Sequence, residues 1–359
     1  MPGSEKKAGV YITIPIFLVK ALFCRILFYN LHLHRSMYYI VYGLLYLLSL
    51  IPFTVMYGLS NVITWLMFYV FRYRKDVVLN NLQIAFPDRS EPDRKKIALA
   101  FYRNLIDTFL ESIKLISISN AQLEKRIQVR NMDACNRLIE AGKNVQFHSG
   151  HQFNWEYANL AFSKNVQGTF LGVYMPIKNK VLNTIFLKIR SRYNTTLIPV
   201  PEFKESFKQF SEQPYSLALV SDQNPGKPMN GHWLNFFGKP TPFVAGPDKG
   251  ARLKGTAVVF VKFIKEKKRG FYTYEAAVIT DNASDMREGE LTLRFRDFLE
   301  EAIREQPDNY LWSHRRWRRQ YKPEYEKRWI ESVPPPIPNT GITTPPPDSD
   351  AGIPDYTST

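Results

Sequence analysis

Cysteine is scarce in this chain: Cys24 and Cys135 are the only two in 359 residues. Two thiols so far apart make neither a disulfide framework nor a zinc knuckle, and a reducing compartment is the simple inference. Histidine is scarce too, with six. His148-x-x-His151 has the spacing of half a metal site, but no third and fourth ligand accompany it, so no metal is predicted. Charge is missing altogether over Met37–Phe71, 35 residues without Asp, Glu, Lys or Arg. The last 31 residues lack Lys and Arg and carry three Asp. No internal repeat is evident, which excludes a solenoid.

Basic residues are abundant in what remains. The net charge is +15, and the body is more basic than the total because the tail is acidic. Such a surface suits an anionic partner: nucleic acid, anionic lipid or an acidic carrier protein. Aromatics reach 14%, which is high. Eight of the 24 prolines fall in Val333–Thr359 with Ser, Thr, Gly and Asp, a composition that buries no core and predicts a disordered tail.

The apolar run Val10–Phe28 is broken by Lys20 and Arg25 and has no small-x-small cleavage site. That argues against a secretory signal and for an amphipathic segment lying on a membrane surface. Pro52 splits Met37–Phe71 into two pieces, each near the roughly 20 apolar residues that span a hydrocarbon core. Tyr38, Tyr39, Trp65 and Tyr69 are interfacial aromatics, and basic residues flank both ends. A hairpin or shallow insertion with both ends cytoplasmic is expected, a single crossing being the alternative.

Pro92–Leu115 carries Ile97, Phe101, Leu105 and Phe109 at helical spacing. Beyond Asn120 the pattern alternates. Strand-like runs stand at Val145–His148, Thr169–Met175, Thr196–Val200, Ser216–Ser221, Ala257–Ile264 and Tyr272–Ile279. Helical stretches lie at Glu156–Lys164, Lys180–Tyr193, Phe203–Glu212, Gly246–Lys254 and Leu291–Glu305. This predicts an α/β domain with a mixed sheet flanked by helices, behind an N-terminal apolar membrane-inserting segment. The expected divisions are 1–76 membrane-associated helices, 77–330 the α/β domain and 331–359 the tail.

The stretch V-Q-F-H-S-G-H-Q-F-N-W-E, Val145–Glu156, is a buried strand that ends in Gly-His and leads into a helix. His151 then lies in the turn and Glu156 in the first helical turn, where a carboxylate can orient an imidazole as general base. A plain satisfied histidine in a turn is the other reading of this stretch alone. Arg190 and Arg192 sit on a helix after Met175-Pro176; arginine can clamp a phosphate or stabilise an oxyanion. Ser221–Lys227 is a polar cluster at a strand end, and Tyr310–Arg319 reads Y-L-W-S-H-R-R-W-R-R. No nucleic-acid motif accompanies that last cluster, so no nucleic-acid partner is predicted.

In order along the chain, these stretches resemble a family. His151-x4-Glu156 is similar to the H-x4-D/E signature of glycerolipid and lipid A acyltransferases. N-N-L-x-x-A-F-P at Asn80–Pro87, Tyr174-Met-Pro with Arg190, Ser221-Asp222-Gln223, Asn235-Phe-Phe-Gly-Lys-Pro with Ala245-Gly-Pro, and Tyr310-Leu-Trp-Ser-His-Arg-Arg-Trp resemble the late acyltransferases of Kdo-lipid A. The resemblance runs from about Met37 to Arg319. The chain departs from it in the extra apolar segment before Met37, in the proline-rich tail, and at Met175, where an arginine often precedes the proline.

The resemblance implies acyl transfer from an acyl carrier protein thioester to a hydroxyl of a lipid A precursor, a phosphorylated glycolipid, with a lysophospholipid or aminolipid as the alternative acceptor. It implies His151 as base with Glu156 as orienter, Arg190 or a backbone N–H near Gly150 at the oxyanion, and Asp222 and Gln223 in the pocket. No cofactor is required. Arg315 and Arg316, interleaved with Trp312 and Trp317, are expected either at the bilayer interface near the head group or in a structural basic–aromatic cluster with cation–π pairs. The bacterial inner membrane is the expected location, with the catalytic domain on its cytoplasmic face.

Overall fold

The computed structural model describes residues 36–210 and 212–335. The segment Val10–Phe28 and residues 336–359 of the tail lie outside the described residues.

Proline divides the apolar stretch as expected, into α1 (Ser36–Leu50) and α2 (Phe53–Trp65), which continues through a π turn at Leu66–Val70. Pro52 stands just before α2, where a missing N–H leaves no helical bond unmade. Among the described residues, Phe53–Val70 is the helix long and apolar enough to cross a bilayer, and only 22% of it is buried. Its inner face sets Met56 against Ile106 and Leu110. The other face exposes Val55, Leu59 and Val62, as α1 exposes Ile40, Leu44 and Leu47. Spacing of i, i+4, i+7 makes each set one apolar stripe.

Polar ties fix this hairpin to the body. Lys114 Nζ donates to Ser49 O (2.6 Å) and Ile51 O (2.9 Å), satisfying carbonyls that the end of α1 leaves open. Arg269 pairs with Asp107 (2.5 Å) and reaches Ser60 Oγ of α2 (3.0 Å). α3 (Lys75–Ala85) and α4 (Glu91–Lys114) follow, α4 being capped by Ser90, whose Oγ accepts from Asp93 N.

Then come α5 (Asn120–Glu124), β1 (Ile127–Arg130), α6 (Met132–Glu140), β2 (Val145–Ser149), α7 (Trp155–Asn165), β3 (Thr169–Tyr174) and α8 (Lys180–Arg190). β4 (Thr196–Pro199), α9 (Phe203–Lys208) and β5 (Tyr215–Val220) complete that half. β6 (Gly231–Phe236), β7 (Lys239–Val244), α10 (Gly246–Lys254), β8 (Ala257–Lys265), β9 (Tyr272–Thr280) and α11 (Glu290–Glu305) make the rest. The expected alternation of strand and helix is borne out, with boundaries moved by a few residues.

Among the described residues, seven strands form one sheet in the order β1-β9-β8-β2-β5-β3-β4. Five run parallel; β9 is antiparallel to β8, and β1 follows β9. β8 shows the period-2 logic: Val258 and Phe260 enter the core shared with α3, α4 and α11, while Val259, Val261 and Phe263 face α7.

The β6–β7 hairpin was not legible in the sequence. β7 contains Pro240 and Pro242, which demote a run to an edge, and a two-stranded ribbon is all edge. Its two-residue turn is Phe237-Gly238, both with positive φ, the geometry of a type I′ turn. β1 is four residues long with two of them charged or amide side chains, too short and polar for a pattern to show.

From β2 the chain moves outward to β3 and β4, returns to β5 beside β2, and then crosses to β8 on the other flank of β2. The reversal opens a crevice at the carboxyl ends of β2 and β5, where open α/β sheets place their sites.

Candidate active site

The parallel register sets Ser149 of β2 opposite Val220 of β5, and Ser221 N donates to Ser149 O (3.0 Å). The residues just past both strand ends therefore lie side by side. Gly150 passes so close to α11 that a Cβ would stand 2.5 Å from Leu299 Cδ1. His151 comes next, and Asp222 grips it twice. Asp222 Oδ1 lies 2.5 Å from His151 Nδ1, and Oδ2 accepts the His151 backbone N–H at 3.0 Å.

Burial alone would raise the Asp222 carboxyl, but the His151 contacts and the nearby Arg316 charge outweigh it and hold it at about 2. An ionised Asp222 accepts Nδ1–H, so the lone pair of His151 sits on Nε2. Nε2 faces Gln223, whose amide nitrogen is 3.0 Å away and donates to it. The imidazole is a quarter exposed.

The expected contact between His151 and Glu156 is not made. Residues 151–154 form a loop pinned to the 309–311 segment: Phe153 N donates to Asn309 Oδ1 (3.0 Å) and Leu311 N to His151 O (3.0 Å). α7 begins only at Trp155, capped by Asn154, whose Oδ1 accepts from Glu156 N and Tyr157 N. The Trp155 ring stands beside His151, 6.5 Å between centroids, and the helical phase turns Glu156 toward α8. There its carboxylate takes Arg190 in a fork: Nε to Oε2 at 2.9 Å and Nη2 to Oε1 at 2.5 Å. Burial works against the Arg190 charge, yet Glu156 keeps its pKa above the ordinary value. Spacing along one segment suggested a His–Glu dyad; the neighbour relation of two strands supplies Asp222 instead.

The Tyr310–Arg319 cluster takes the structural form of its two expected readings rather than the interfacial one. Arg316 is buried, not interfacial. Its Nη1 donates to Asn224 Oδ1 (2.8 Å) and Pro242 O (2.9 Å), and its guanidinium stacks on Phe243 at 4.2 Å. Burial lowers its pKa to about 10. Trp312 and Trp317 are buried with it, and Arg315 is half-buried. Asn81, from the N-N-L-x-x-A-F-P stretch, donates to Trp312 O (2.8 Å) and His314 O (2.7 Å). The cluster braces the site from beneath. The Tyr310 hydroxyl meets Asp222 and Arg316, and burial pushes its pKa well up. Nothing in the aromatic-basic composition distinguished such a brace from a membrane anchor.

His148 is fully buried, and burial drops its pKa to about 3. Among the described residues no cluster of His, Cys, Asp and Glu could hold a metal.

A cavity of about 360 Å³ opens beside His151. Trp155, Glu156, Arg190, Tyr174, Met175 and Gln223 are among its lining residues, and most of the others are apolar. It runs along the α7 face of the sheet.

Below α7 lies a charged residue that sequence reading passed over. Glu111 of α4 has no exposed surface. It accepts from Tyr57 Oη of α2 (2.9 Å), Tyr272 Oη of β9 (2.7 Å) and Asn154 Nδ2 (2.9 Å). It thereby links the apolar hairpin to the cap of α7. Burial, and then the charge of Asp107, raise its carboxyl to about 7. A raised carboxyl pKa means that the folded state holds the proton more tightly than the unfolded one. Its contribution is full below the ordinary range near about 4.3 and is lost as pH rises through about 7. We expect wild type to lose on the order of 3 kcal/mol more than Glu111→Gln across that window, read from denaturant midpoints against pH. Parallel pH curves for the two proteins would refute this.

Residues 28–319 match the family model for bacterial lipid A biosynthesis acyltransferases. A lipid A biosynthesis lauroyltransferase of Escherichia coli (strain K12) is 21% identical over 279 residues, covering 77% of this chain and 89% of the relative. A lipid A biosynthesis palmitoleoyltransferase of the same organism is 20% identical over 280 residues, with the same coverage. So is a lipid A biosynthesis acyltransferase of Shigella flexneri. The family match takes in α1 and α2, the whole sheet, the cavity beside His151 and the brace beneath Asp222, and on that extent the chain belongs to the bacterial lipid A biosynthesis acyltransferases.

Proposed function

We propose that this acyltransferase moves a fatty acyl chain from an acyl carrier protein thioester to a hydroxyl of a lipid A precursor, with His151 as general base. The observation that carries the reading is the His151–Asp222 pair, which leaves Nε2 facing an apolar cavity. The acceptor hydroxyl displaces the Gln223 amide from Nε2 and gives up its proton there as its oxygen attacks the thioester carbonyl. Asp222 holds the tautomer and stabilises the imidazolium. The tetrahedral intermediate expels the carrier thiolate, which takes the proton back from His151. The substrate brings its own nucleophile, so no acyl-enzyme and no cofactor are needed.

Asp222 already occupies the His151 backbone N–H, which removes it as an oxyanion donor. The Gln223 amide and the Arg190 guanidinium, both lining the cavity, are the better placed donors. Glu156 acts through Arg190, by fixing it.

The apolar stripes of α1 and α2 fit a bilayer surface, at the cytoplasmic face of the bacterial inner membrane. Lys188 of α8 lies over the Tyr42 ring of α1 at 5.4 Å, so the hairpin stands next to the helix that carries Arg190. A lipid acceptor held in the membrane is thereby close to the cavity. The basic surface suits both the acidic carrier and an anionic glycolipid head group.

The test is transfer in mixed micelles, with labelled acyl carrier protein thioester and lipid A precursor, for wild type and His151→Ala. Labelled lipid A from wild type alone is the expected result. Thioester consumption that labels another lipid would overturn the acceptor, and equal rates in both proteins would overturn the base.

A further inference from the structure

We propose that the cavity beside His151 measures the acyl chain, with Phe147, Phe162 and Phe170 as its stop and Ala218 as the wall that makes room beside them. The inference rests on the acyl-transfer reading and adds which residues set chain length.

The strand register lays the cavity out in rows. Ser149 of β2 is level with Val220 of β5 and Val261 of β8, just below His151. One row deeper, Phe147 is level with Ala218, and Ala218 with Gly172 of β3. The next row pairs Ser216 with Phe170. Successive rows lie about 6.6 Å apart, two residues of strand rise. Two of the smallest side chains thus stand next to each other at mid-depth, and Ala158 of α7 also lines the cavity.

Beside and beneath them the space closes. The rings of Phe147 and Phe162 are 5.2 Å apart, Phe162 and Phe170 6.4 Å, and Phe147 and Phe170 6.5 Å. All three are at most 4% exposed, and all three line the cavity. Three interlocked rings in a close-packed interior give way only at considerable cost, so the floor is a steric stop.

A methylene takes up nearly as much room as a water molecule, roughly 30 Å³. A cavity of about 360 Å³ therefore has room for a fatty acyl chain. Gradual apolar partition alone discriminates weakly, about fourfold for each methylene gained. A floor does more, because the first methylene beyond it must move a phenylalanine. The relatives' names carry two different chains, lauroyl and palmitoleoyl, so family membership leaves this length open.

The experiment compares kcat/KM over a ladder of saturated acyl carrier protein thioesters for wild type, Phe170→Ala and Ala218→Leu, with thermal melting of each. Wild type should rise about fourfold per methylene to one length and then fall by at least tenfold. Phe170→Ala should move that maximum to longer donors and Ala218→Leu to shorter ones. If Phe170→Ala does not fold, the shift in Ala218→Leu decides alone. Transfer with an unmoved length profile in a folded variant would overturn the gauge and leave the acyl-transfer reading standing. No transfer by wild type with any donor would count against that reading itself.

Discussion

Removing the His151 imidazole should lower acyl transfer by about 10²–10⁴-fold, the usual worth of a positioned general base, and leave the protein folded. His151→Ala is the direct test, and His151 is exposed enough for its loss to leave no large cavity. Asp222→Asn should do nearly as much harm. An amide in place of the carboxylate offers Nδ1 no ionised acceptor and leaves the imidazolium without its counter-charge. The two changes disable one unit, so the double variant should be hardly worse than either single one. Glu156→Gln acts elsewhere: it loosens Arg190, should be less severe than Asp222→Asn, and should add to His151→Ala in whatever activity remains. Steady-state kcat and KM for wild type, the three single variants and the two double variants settle the assignment. Additive effects of Asp222→Asn and His151→Ala, with Glu156→Gln coupled to His151→Ala instead, would restore the His–Glu dyad that the sequence spacing suggested.

Arg316→Met should be among the most destabilising single changes in the chain. Arg316 is 1% exposed and lies close to the ionised Asp222 and the Tyr310 hydroxyl. Its loss leaves a buried carboxylate with less compensation and orphans the Asn224 and Pro242 acceptors. Leaving two buried acceptors unsatisfied in this way costs about 2–6 kcal/mol. Lysine should not rescue it, because one ammonium cannot both bond those acceptors and stack flat on Phe243. Arg318→Ala, two residues on and exposed, should fall within about 0.5 kcal/mol of wild type. Denaturant midpoints for the three variants provide the check. Equal stability of Arg316→Met and Arg318→Ala would mean that the cluster is a surface feature after all.

The alternation of apolar runs with amphipathic stretches was enough to place β2, β3, β4, β5, β8 and β9 and the helices between them, because burial imposes periods of 2 and 3.6 wherever an element is long enough to repeat them. A proline inside a charge-free run was enough to locate the break between α1 and α2. Gly150-His151 at a strand end was legible for the same local reason: strand, glycine and helix follow one another within a dozen residues. The pairing of His151 with Asp222 was not, since it depends on β5 lying next to β2, a choice of sheet order that no spacing encodes. Nor was the division of labour between Asp222 and Glu156, which follows from where a four-residue loop lets α7 begin. The cavity floor needed the register of three strands, and the brace under Asp222 needed contacts between segments more than 200 residues apart, as between Asn81 and His314. Sequence by itself determined the longer strands and helices and marked the Gly150-His151 turn, because those follow from local period and residue type. Tertiary structure alone decided which side chains meet, because parallel strands bring together residues from distant stretches of chain.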